Sequence, residues 1–345
     1  MHGVKSNIRT QRGLTMVELM VALAIGSFLM IGAVTIYGQS REAFVINESI
    51  ARVQETAQFV LDTVETDLRM GSNWGRTSRS LAIEGRSMIG ADDPNNVVPA
   101  SALDCGARWV IDIGKPIDGV NNSYGLSCAP PAAAGGATGW QPNSDVVTIR
   151  RASVDPVIPT NGRLQIQTTR IQGQLINNGV IPAVFDPPAV PTQPATATDP
   201  SATHNLLVNS YYVSKDSELL PGVPTLRRRT LTMNAGASDT EDQEVAPGVE
   251  NLQLQLGVDV DEDNTVDRYV NPGDPIYDPN AASGYVPGAR VLTARLWVIV
   301  RSPTPEIGLK DTSTYKPGDV DLGAPNDGYR RLQLSKTILL RNSRT

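Results

Sequence analysis

The 345-residue sequence predicts an α+β fold, in which a long N-terminal helix packs on an antiparallel β-sheet head with long loops. An apolar run and an amphipathic run follow each other without a helix-breaking signal between residues 14 and 71. After residue 71 the pattern changes to short alternating runs between turn signals. The net charge of −6 argues against a nucleic-acid-binding protein, because phosphate contacts require a basic surface.

Residues 1–13 form a basic lead-in to the helix. They contain Lys5, Arg9 and Arg12 and no acidic residue, so we expect them to stay on the cytoplasmic side of a membrane. Gly13 precedes the apolar stretch, whereas a secretory signal has its small-residue cleavage site after the apolar core. Cleavage after Gly13 would remove three cations, change the net charge from −6 to −9, and leave the hydrophobic helix on the mature chain.

The stretch 14–40 is long enough to cross a bilayer as a helix, and Glu18 is its one charged residue. A carboxylate costs roughly 2.5–3.5 kcal/mol at the centre of a membrane helix and less near an end. Glu18 is therefore either a tolerated interfacial charge or one that pairs with a cation supplied during assembly. Cleavage after Gly13 would give Leu14 a free amine, which in a helical bundle could pair with Glu18 of a neighbouring subunit.

The segment RGLTMVELMVALAIGSFLM resembles the class III signal of type IV pilins and type II secretion pseudopilins. The resemblance implies a type IV pilin-like fold, cleavage by a prepilin peptidase after Gly13, N-methylation of Leu14 and use of Glu18 in assembly. The usual first mature residue is Phe, so Leu14 departs from the common pattern. The implied location is the bacterial inner membrane, single-pass with the head in the periplasm, and later the pilus at the cell surface.

The segment 41–71 predicts an amphipathic helix belonging to the head. Apolar residues recur every three or four positions between charged ones and form one stripe: Ile46, Ile50, Val53, Ala57, Val60, Val64 and Leu68. Gly71 predicts the end of the helix. A coiled coil is the alternative, but the stripe is short and its spacing suits packing on a sheet.

Residues 72–345 predict a β-rich globular head. Alternating runs predict strands at residues 108–113, 145–152, 163–171, 205–214, 225–233, 249–258, 290–302 and 330–342. We expect their buried faces to lie on the apolar stripe of the helix. Two segments rich in Pro, Ala and Thr, 129–143 and 185–203, predict exposed loops. The three consecutive arginines Arg227, Arg228 and Arg229 are interpreted as solvated charges on a strand.

The two cysteines, Cys105 and Cys128, flank a stretch rich in Gly, Asn and Ser. In an exported head this pair predicts a disulfide, worth about 3 kcal/mol in the chain-entropy model. Two unpaired structural thiols are the alternative. A zinc site is not indicated, because two cysteines without a nearby histidine cannot complete tetrahedral ligation.

The segment DVDEDNTVDRYV has the spacing of an EF-hand-like Ca²⁺ loop, with acids at loop positions 1, 3, 5 and 9: Asp259, Asp261, Asp263 and Asp267. The carbonyl of Thr265 would fill position 7, and Asn264 would take the left-handed turn that usually requires Gly. Position 12 is Val270 instead of Glu, which predicts weak affinity unless Asp274 substitutes for it. An acidic, solvated hairpin turn is the alternative. We favour bound Ca²⁺, because four clustered acids repel one another without a cation.

Catalysis is not indicated by any motif. Histidine is limited to His2 and His204, and the sequence lacks nucleophile-elbow, zinc-protease, P-loop and dinucleotide-binding patterns. We therefore predict a non-enzymatic protein.

Three blocks, QETAQFVLDTVETDLRMGSNWG, APGVENLQLQLGVDVDEDNTVDRYV and RRLQLSKTILLRN, resemble the PilW family of type IV pilus minor pilins. The resemblance implies a structural minor pilin that joins other minor pilins and the major pilin in a tip or priming complex. It also implies a PilY-type tip adhesin as a partner. Two alternatives remain: a J-type minor pseudopilin of a type II secretion system, and a membrane-tethered periplasmic binding protein or enzyme.

Overall fold

A computed structural model describes residues 13, 15–85, 105, 109–132, 139–182, 185 and 201–344. The chain divides into two compact units, Met1–Ala51 and Arg52–Thr345. Most of the predicted leader, residue Leu14 and much of the two Pro-rich segments lie outside the described residues.

Helix α1, Met16–Met70, is the one long helix of the described chain. Thr15 and Glu18 start it as a capping box: Thr15 N–H and Oγ1 each donate to Glu18 Oε2 at 3.0 Å, and Glu18 N–H donates to Thr15 Oγ1 at 3.3 Å. The helix ends in a turn at Gly71 and Ser72, where Ser72 has a φ of 64°. The single helix confirms the predicted continuous helical pattern.

Within the first unit, residues 16–40 of α1 are apolar apart from Glu18 and a few uncharged polar residues, and nearly all of them are exposed. Helix α1 is the one described helix that is long and apolar enough to cross a membrane. No residue of its most apolar stretch is buried. The exposed side chains include Leu23, Phe28, Met30, Ile36 and Tyr37. Such a surface requires lipid or neighbouring helices around it.

The larger of two sheets has eight strands: β1 (Ile83–Glu84), β2 (Ile117–Val120), β3 (Val146–Ala152), β4 (Asn161–Thr168), β5 (Gly173–Asn178), β6 (Ala202–Ser214), β7 (Thr225–Asn234) and β8 (Ala237–Pro247). The order is β1-β5-β4-β6-β3-β2, with β7 paired to β6 and β8 to β7. The β1–β5 pair is parallel and the others are antiparallel. Strand β6 pairs with β4 through its first residues and with β7 through its last ones.

The smaller sheet has four antiparallel strands in the order β10-β9-β11-β12: β9 (Val249–Asp259), β10 (Arg268–Val270), β11 (Arg290–Arg301) and β12 (Arg331–Leu339). A long helix followed by a sheet-rich head confirms the predicted α+β class. The head contains two sheets, however, and one of them is mixed.

The strand predicted at 108–113 is wrong where the structure describes it. Trp109–Ile111 form a short 3-10 helix with three consecutive buried side chains, whereas a strand would turn successive side chains to opposite faces. These residues lie in a second hydrophobic cluster together with the disulfide that joins Cys105 and Cys128. The disulfide is the pairing predicted from the sequence.

Five of the seven residues of the predicted stripe of α1 lie in the main core, whereas Ile46 and Ile50 are only half-buried and lie outside it. Val53, Ala57, Val60, Val64 and Leu68 are all at most 3% exposed. They form one cluster with residues of β3, β6 and β7 from the larger sheet and of β9, β11 and β12 from the smaller sheet. The second half of the helix therefore supplies the apolar surface on which both sheets of the head pack.

The interpretation of the arginine triplet as solvated is wrong for Arg227. Its side chain is 3% exposed. Its guanidinium donates to Asp242 Oδ1 at 2.5 Å and to Glu218 Oε1 at 2.8 Å. Strand β8 contributes the acid Asp242 directly across from the triplet, so the charges neutralise each other inside a hairpin.

Candidate functional site

The predicted processing and assembly residues lie at the start of α1. Gly13 is exposed, and Leu14 and residues 1–12 lie outside the described residues. Glu18 forms the capping box with Thr15, a role that the sequence interpretation missed although the spacing Thr-x-x-Glu signals it. Cleavage after Gly13 would leave the Thr15 amide intact, so the box would persist in the mature chain.

The acidic loop, defined as residues 259–267, connects β9 to β10. The two strands pair with Val258 opposite Arg268, and the loop closes this hairpin. Asp259, Asp261 and Asp267 each place one carboxylate oxygen within 4.8 Å of the others. Asp259 is fully buried and the other two are exposed, so the potential ligands converge at the edge of the smaller sheet.

Asp259 is already well bonded inside the protein. It accepts hydrogen bonds from the N–H groups of Glu262 at 2.8 Å and Asn264 at 3.0 Å. The guanidinium of Arg290 donates to Asp259 Oδ2 at 3.0 Å. A bound cation would therefore share this carboxylate with Arg290 or displace it.

Asp263 points to a neighbour within the loop and is not one of the three converging acids. Its Oδ1 accepts from Thr265 Oγ1 at 2.6 Å and from Thr265 N–H at 2.7 Å, and these bonds hold the pKa of Asp263 below its ordinary value. Asn264 has a φ of 67°, as its predicted turn position requires. Glu262 also has a positive φ, 65°, which the sequence interpretation did not anticipate.

Two further residues limit the fit to an EF-hand. Val270 is buried in the main core, and Asp274 caps a 3-10 helix at Pro275–Tyr277 by accepting from Ile276 N–H at 2.9 Å. The described residues thus provide three converging carboxylates of the oxygen type that Ca²⁺ prefers, fewer than the six to eight ligands that the ion takes. The donor set fits a weak Ca²⁺ site completed by water.

His204 occupies a structural position. It is 4% exposed, its Nδ1 lies 2.8 Å from the carbonyl oxygen of Ser153, and burial lowers its pKa. The ring packs so closely under Gly75 that a Cβ there would lie 2.4 Å from the ring. This environment is typical of a packed histidine and does not indicate general acid–base catalysis.

Two family models match the chain. The model of PilW, Type IV Pilus-assembly protein W, matches residues 210–342, which run from the end of β6 to β12 and contain the acidic loop. The model of the prokaryotic N-terminal methylation motif matches residues 8–34, which contain Gly13 and Glu18. No curated protein and no solved structure matches the chain.

Proposed function

We propose that this type IV pilus minor pilin of the PilW family takes part in initiating pilus assembly. In this proposal it is a structural, non-enzymatic member of a tip or priming complex. The observation that carries the proposal is the division of α1. Its first part presents an apolar surface to lipid or to neighbouring helices, and its second part is the core of the head. One chain can therefore anchor in the inner membrane, enter a helical filament and present its head to partners.

The order of events in this proposal follows from the N-terminus. The basic residues of the leader keep it cytoplasmic, which places the head in the periplasm. Prepilin peptidase cuts after Gly13, and Leu14 becomes the N-methylated terminus. The assembled partners are other minor pilins and the major pilin, and the head carries a PilY-type tip adhesin to the cell surface.

Glu18 would act twice in this proposal. In the single chain its carboxylate closes the capping box with Thr15. In the assembly its negative charge pairs with the N-terminal amine of a neighbouring subunit, which brings the apolar helices into register. The first role requires only a hydrogen-bond acceptor, whereas the second requires a charge.

This difference separates the two roles experimentally. We expect Glu18→Gln to abolish most surface piliation, because Gln keeps an acceptor for the Thr15 amide but loses the charge. We expect Thr15→Ala to fray the helix start and to leave piliation close to normal. Gly13→Leu should leave residues 1–13 on the protein, which mass spectrometry of the purified chain would detect. Piliation is counted by electron microscopy of sheared filaments in a deletion strain complemented with each variant.

Normal piliation in both the deletion strain and Glu18→Gln would contradict the proposal. Normal pili together with a loss of secretion would support the J-type pseudopilin instead. Normal function of an unprocessed Gly13→Leu chain would support a tethered periplasmic protein, since such a protein needs its anchor but not its cleavage.

We further propose that the acidic loop binds Ca²⁺ weakly through Asp259, Asp261 and Asp267, with Asp263 and Thr265 shaping the loop around it. The support is the convergence of three carboxylates at a hairpin end. Neutralising their mutual repulsion would stiffen the hairpin that carries β10.

For the full-length protein in detergent micelles we expect calorimetry to show Ca²⁺ uptake with a dissociation constant of about 10⁻⁴–10⁻³ M, the range of weak Ca²⁺ modules. Asp261→Asn/Asp267→Asn should remove the uptake. Asp239→Asn is the matched control, because this acid lies on β8 and accepts a hydrogen bond from Asn234 at 3.0 Å outside the acidic loop. Lack of uptake at millimolar Ca²⁺, or equal uptake by the double variant, would rule out the site.

A further inference from the structure

Two adjoining grooves cross the head beside the turn that follows α1. One has a volume of about 610 Å³ and the other about 470 Å³. Both are lined by Ser78, Arg79 and Asn342, so they form one continuous groove, which we call the arginine groove. Its combined size is suited to an extended peptide of several residues.

Three arginines line the smaller end of the arginine groove: Arg76, Arg79 and Arg170. Arg79 and Arg170 are exposed, and within the described residues neither guanidinium makes an ion pair. In a chain with a net charge of −6 this is an unusual concentration of positive charge. The smaller end of the groove is therefore attractive to an anionic group.

Two hydrogen bonds hold the backbone that carries Arg76 and Arg79. Arg76 N–H donates to Thr168 Oγ1 at 3.3 Å, which joins the turn after α1 to the end of β4. Arg79 N–H donates to Thr77 Oγ1 at 3.2 Å, and Thr77 is itself 8% exposed. These bonds fix the backbone from which Arg76 and Arg79 extend, so little backbone ordering is needed to receive a ligand.

The turn between β4 and β5 is fixed in the same way. Thr169 Oγ1 accepts from the N–H groups of Ile171 at 3.3 Å and Gln172 at 3.1 Å. The turn therefore presents Arg170 and Ile171 together at its tip, and both line the groove. A cationic and an apolar side chain are thus displayed side by side.

The walls of the groove favour a peptide over a simple anion. Ile171 is 72% exposed and Leu81 is 50% exposed, and each lines one part of the groove. Tyr285 and Val291 extend the apolar lining of the larger part. Apolar side chains beside guanidinium groups suit a ligand that carries both carboxylates and apolar residues, whereas a phosphate or a sugar acid would use only the cations.

We propose that the arginine groove binds an acidic, extended peptide segment of a partner protein. Carboxylates of that segment pair with Arg79 and Arg170, and its apolar residues lie along Leu81 and Ile171. The inference concerns a surface of the head and does not depend on how the N-terminal helix assembles.

The test uses the full-length protein in phosphatidylcholine nanodiscs and a random 12-residue peptide library displayed on phage. Recovered peptides are synthesised with a fluorescent label, and their affinity is measured by anisotropy. We expect enrichment of Asp or Glu next to apolar residues. We also expect at least a tenfold loss of affinity, roughly one ion-paired contact, for Arg79→Glu/Arg170→Glu. Replacing the peptide's acids by their amides should cause a similar loss.

The matched control is Arg268→Glu/Lys310→Glu, because these exposed cations lie outside the groove and the double variant makes the same change in net charge. An equal loss of affinity in the control would reveal non-specific attraction and overturn the proposal. So would a lack of enrichment, enrichment of peptides without acids, or equal binding to Arg79→Glu/Arg170→Glu with an unchanged melting temperature. Binding of phosphatidylglycerol vesicles through the same two arginines, with no peptide recovered, would assign the groove to a membrane surface and overturn the peptide proposal.

Discussion

Asp67→Ala is expected to lower the free energy of unfolding of the head by about 3–5 kcal/mol, the cost of breaking a buried ion pair by removing one partner. Asp67 lies on the second half of α1 and is 6% exposed. Its Oδ1 accepts from Arg151 Nη2 at 2.9 Å and from Nε at 3.2 Å. Its Oδ2 accepts from Tyr211 Oη at 2.5 Å and from Asn209 Nδ2 at 2.6 Å. One carboxylate thus joins the helix to β3 and β6.

The loss of stability in Asp67→Ala would arise from the hydrogen-bond donors that Asp67 leaves without an acceptor. Without Asp67 the guanidinium of Arg151 and the donors of Asn209 and Tyr211 would face a small apolar side chain, and each unsatisfied group would carry a desolvation cost. Burial is the main cause that raises the pKa of Tyr211, and because burial persists in Asp67→Ala, we expect the hydroxyl to remain a neutral donor there.

The measurement is urea unfolding of the full-length protein in detergent, followed by the fluorescence of its tryptophans, of which Trp74 and Trp109 are buried in the head. Asp62→Ala is the control on the same helix, because its side chain is 73% exposed and its carboxylate lies 3.7 Å from Lys336 Nζ. It should change stability little. The double variant Asp67→Ala/Arg151→Met should lose less than the sum of the two single losses. A loss no larger than that of Asp62→Ala would contradict the assigned role.

The stripe of α1 illustrates what the sequence can predict about the fold. The 3.6-residue period places Val53, Val60 and Leu68 on one face, and the structure buries that face. Asp67 lies beside Leu68, and its burial cannot be predicted from the same pattern. Its partners come from β3 and β6, and only the tertiary fold brings those strands under the helix.

The wrong predictions have related causes. The run 108–113 has the apolar content of a strand, but the disulfide and the surrounding cluster favour a compact 3-10 turn at Trp109–Ile111. Arg227 is buried because the neighbouring strand β8 supplies Asp242, which accepts a hydrogen bond from its guanidinium, and the polar sequence of β8 does not itself signal a strand. Tertiary partners decided both outcomes, the disulfide cluster in the first case and the neighbouring strand in the second, and alternation along one segment carries no information about them.

The candidate sites show the same division between local and distant information. The Thr15–Glu18 capping box and the left-handed Asn264 are local features, and the sequence contains their signals. The convergence of Asp259 with Asp267, and the separation of Asp263 from both, depend on how the loop folds between β9 and β10. The arginine groove combines segments from several distant parts of the chain, so the position of Arg170 near Arg79 is visible only in the structure.

Arg331, the first residue of β12, holds the long connection from β11 to β12 against the smaller sheet. Its side chain is 4% exposed. It donates to Glu250 at 2.5 and 3.0 Å and to Asp327 at 2.6 and 2.8 Å, and its Nη1 lies 3.4 Å from Asp311 Oδ2. Three carboxylates from β9 and from the connection therefore share one cation.

Arg331→Met is expected to cost about 3–5 kcal/mol near neutral pH, because it removes the cation and leaves the three carboxylates facing one another. Arg331→Lys should cost less, since it keeps the charge but loses the forked geometry. Lys316→Met is the control in the same connection. Its ammonium pairs with Asp321 at 2.8 Å but is 66% exposed, so no measurable change is expected.

The cost of Arg331→Met should depend on pH in a definite direction. The hydrogen bond from Arg331 holds the pKa of Asp327 below its ordinary value. For Asp311, burial acts in the opposite direction, but hydrogen bonds from Ser313, Tyr315 and Arg331 keep its pKa low. Groups whose pKa is depressed by folding stabilise the protein above their unfolded pKa, and this contribution disappears as the pH falls through their folded pKa. The difference in free energy of unfolding between wild type and Arg331→Met should therefore be largest above about pH 5 and should shrink toward pH 3. A difference that stays constant over this range would show that Arg331 stabilises the head by packing and not by its charge.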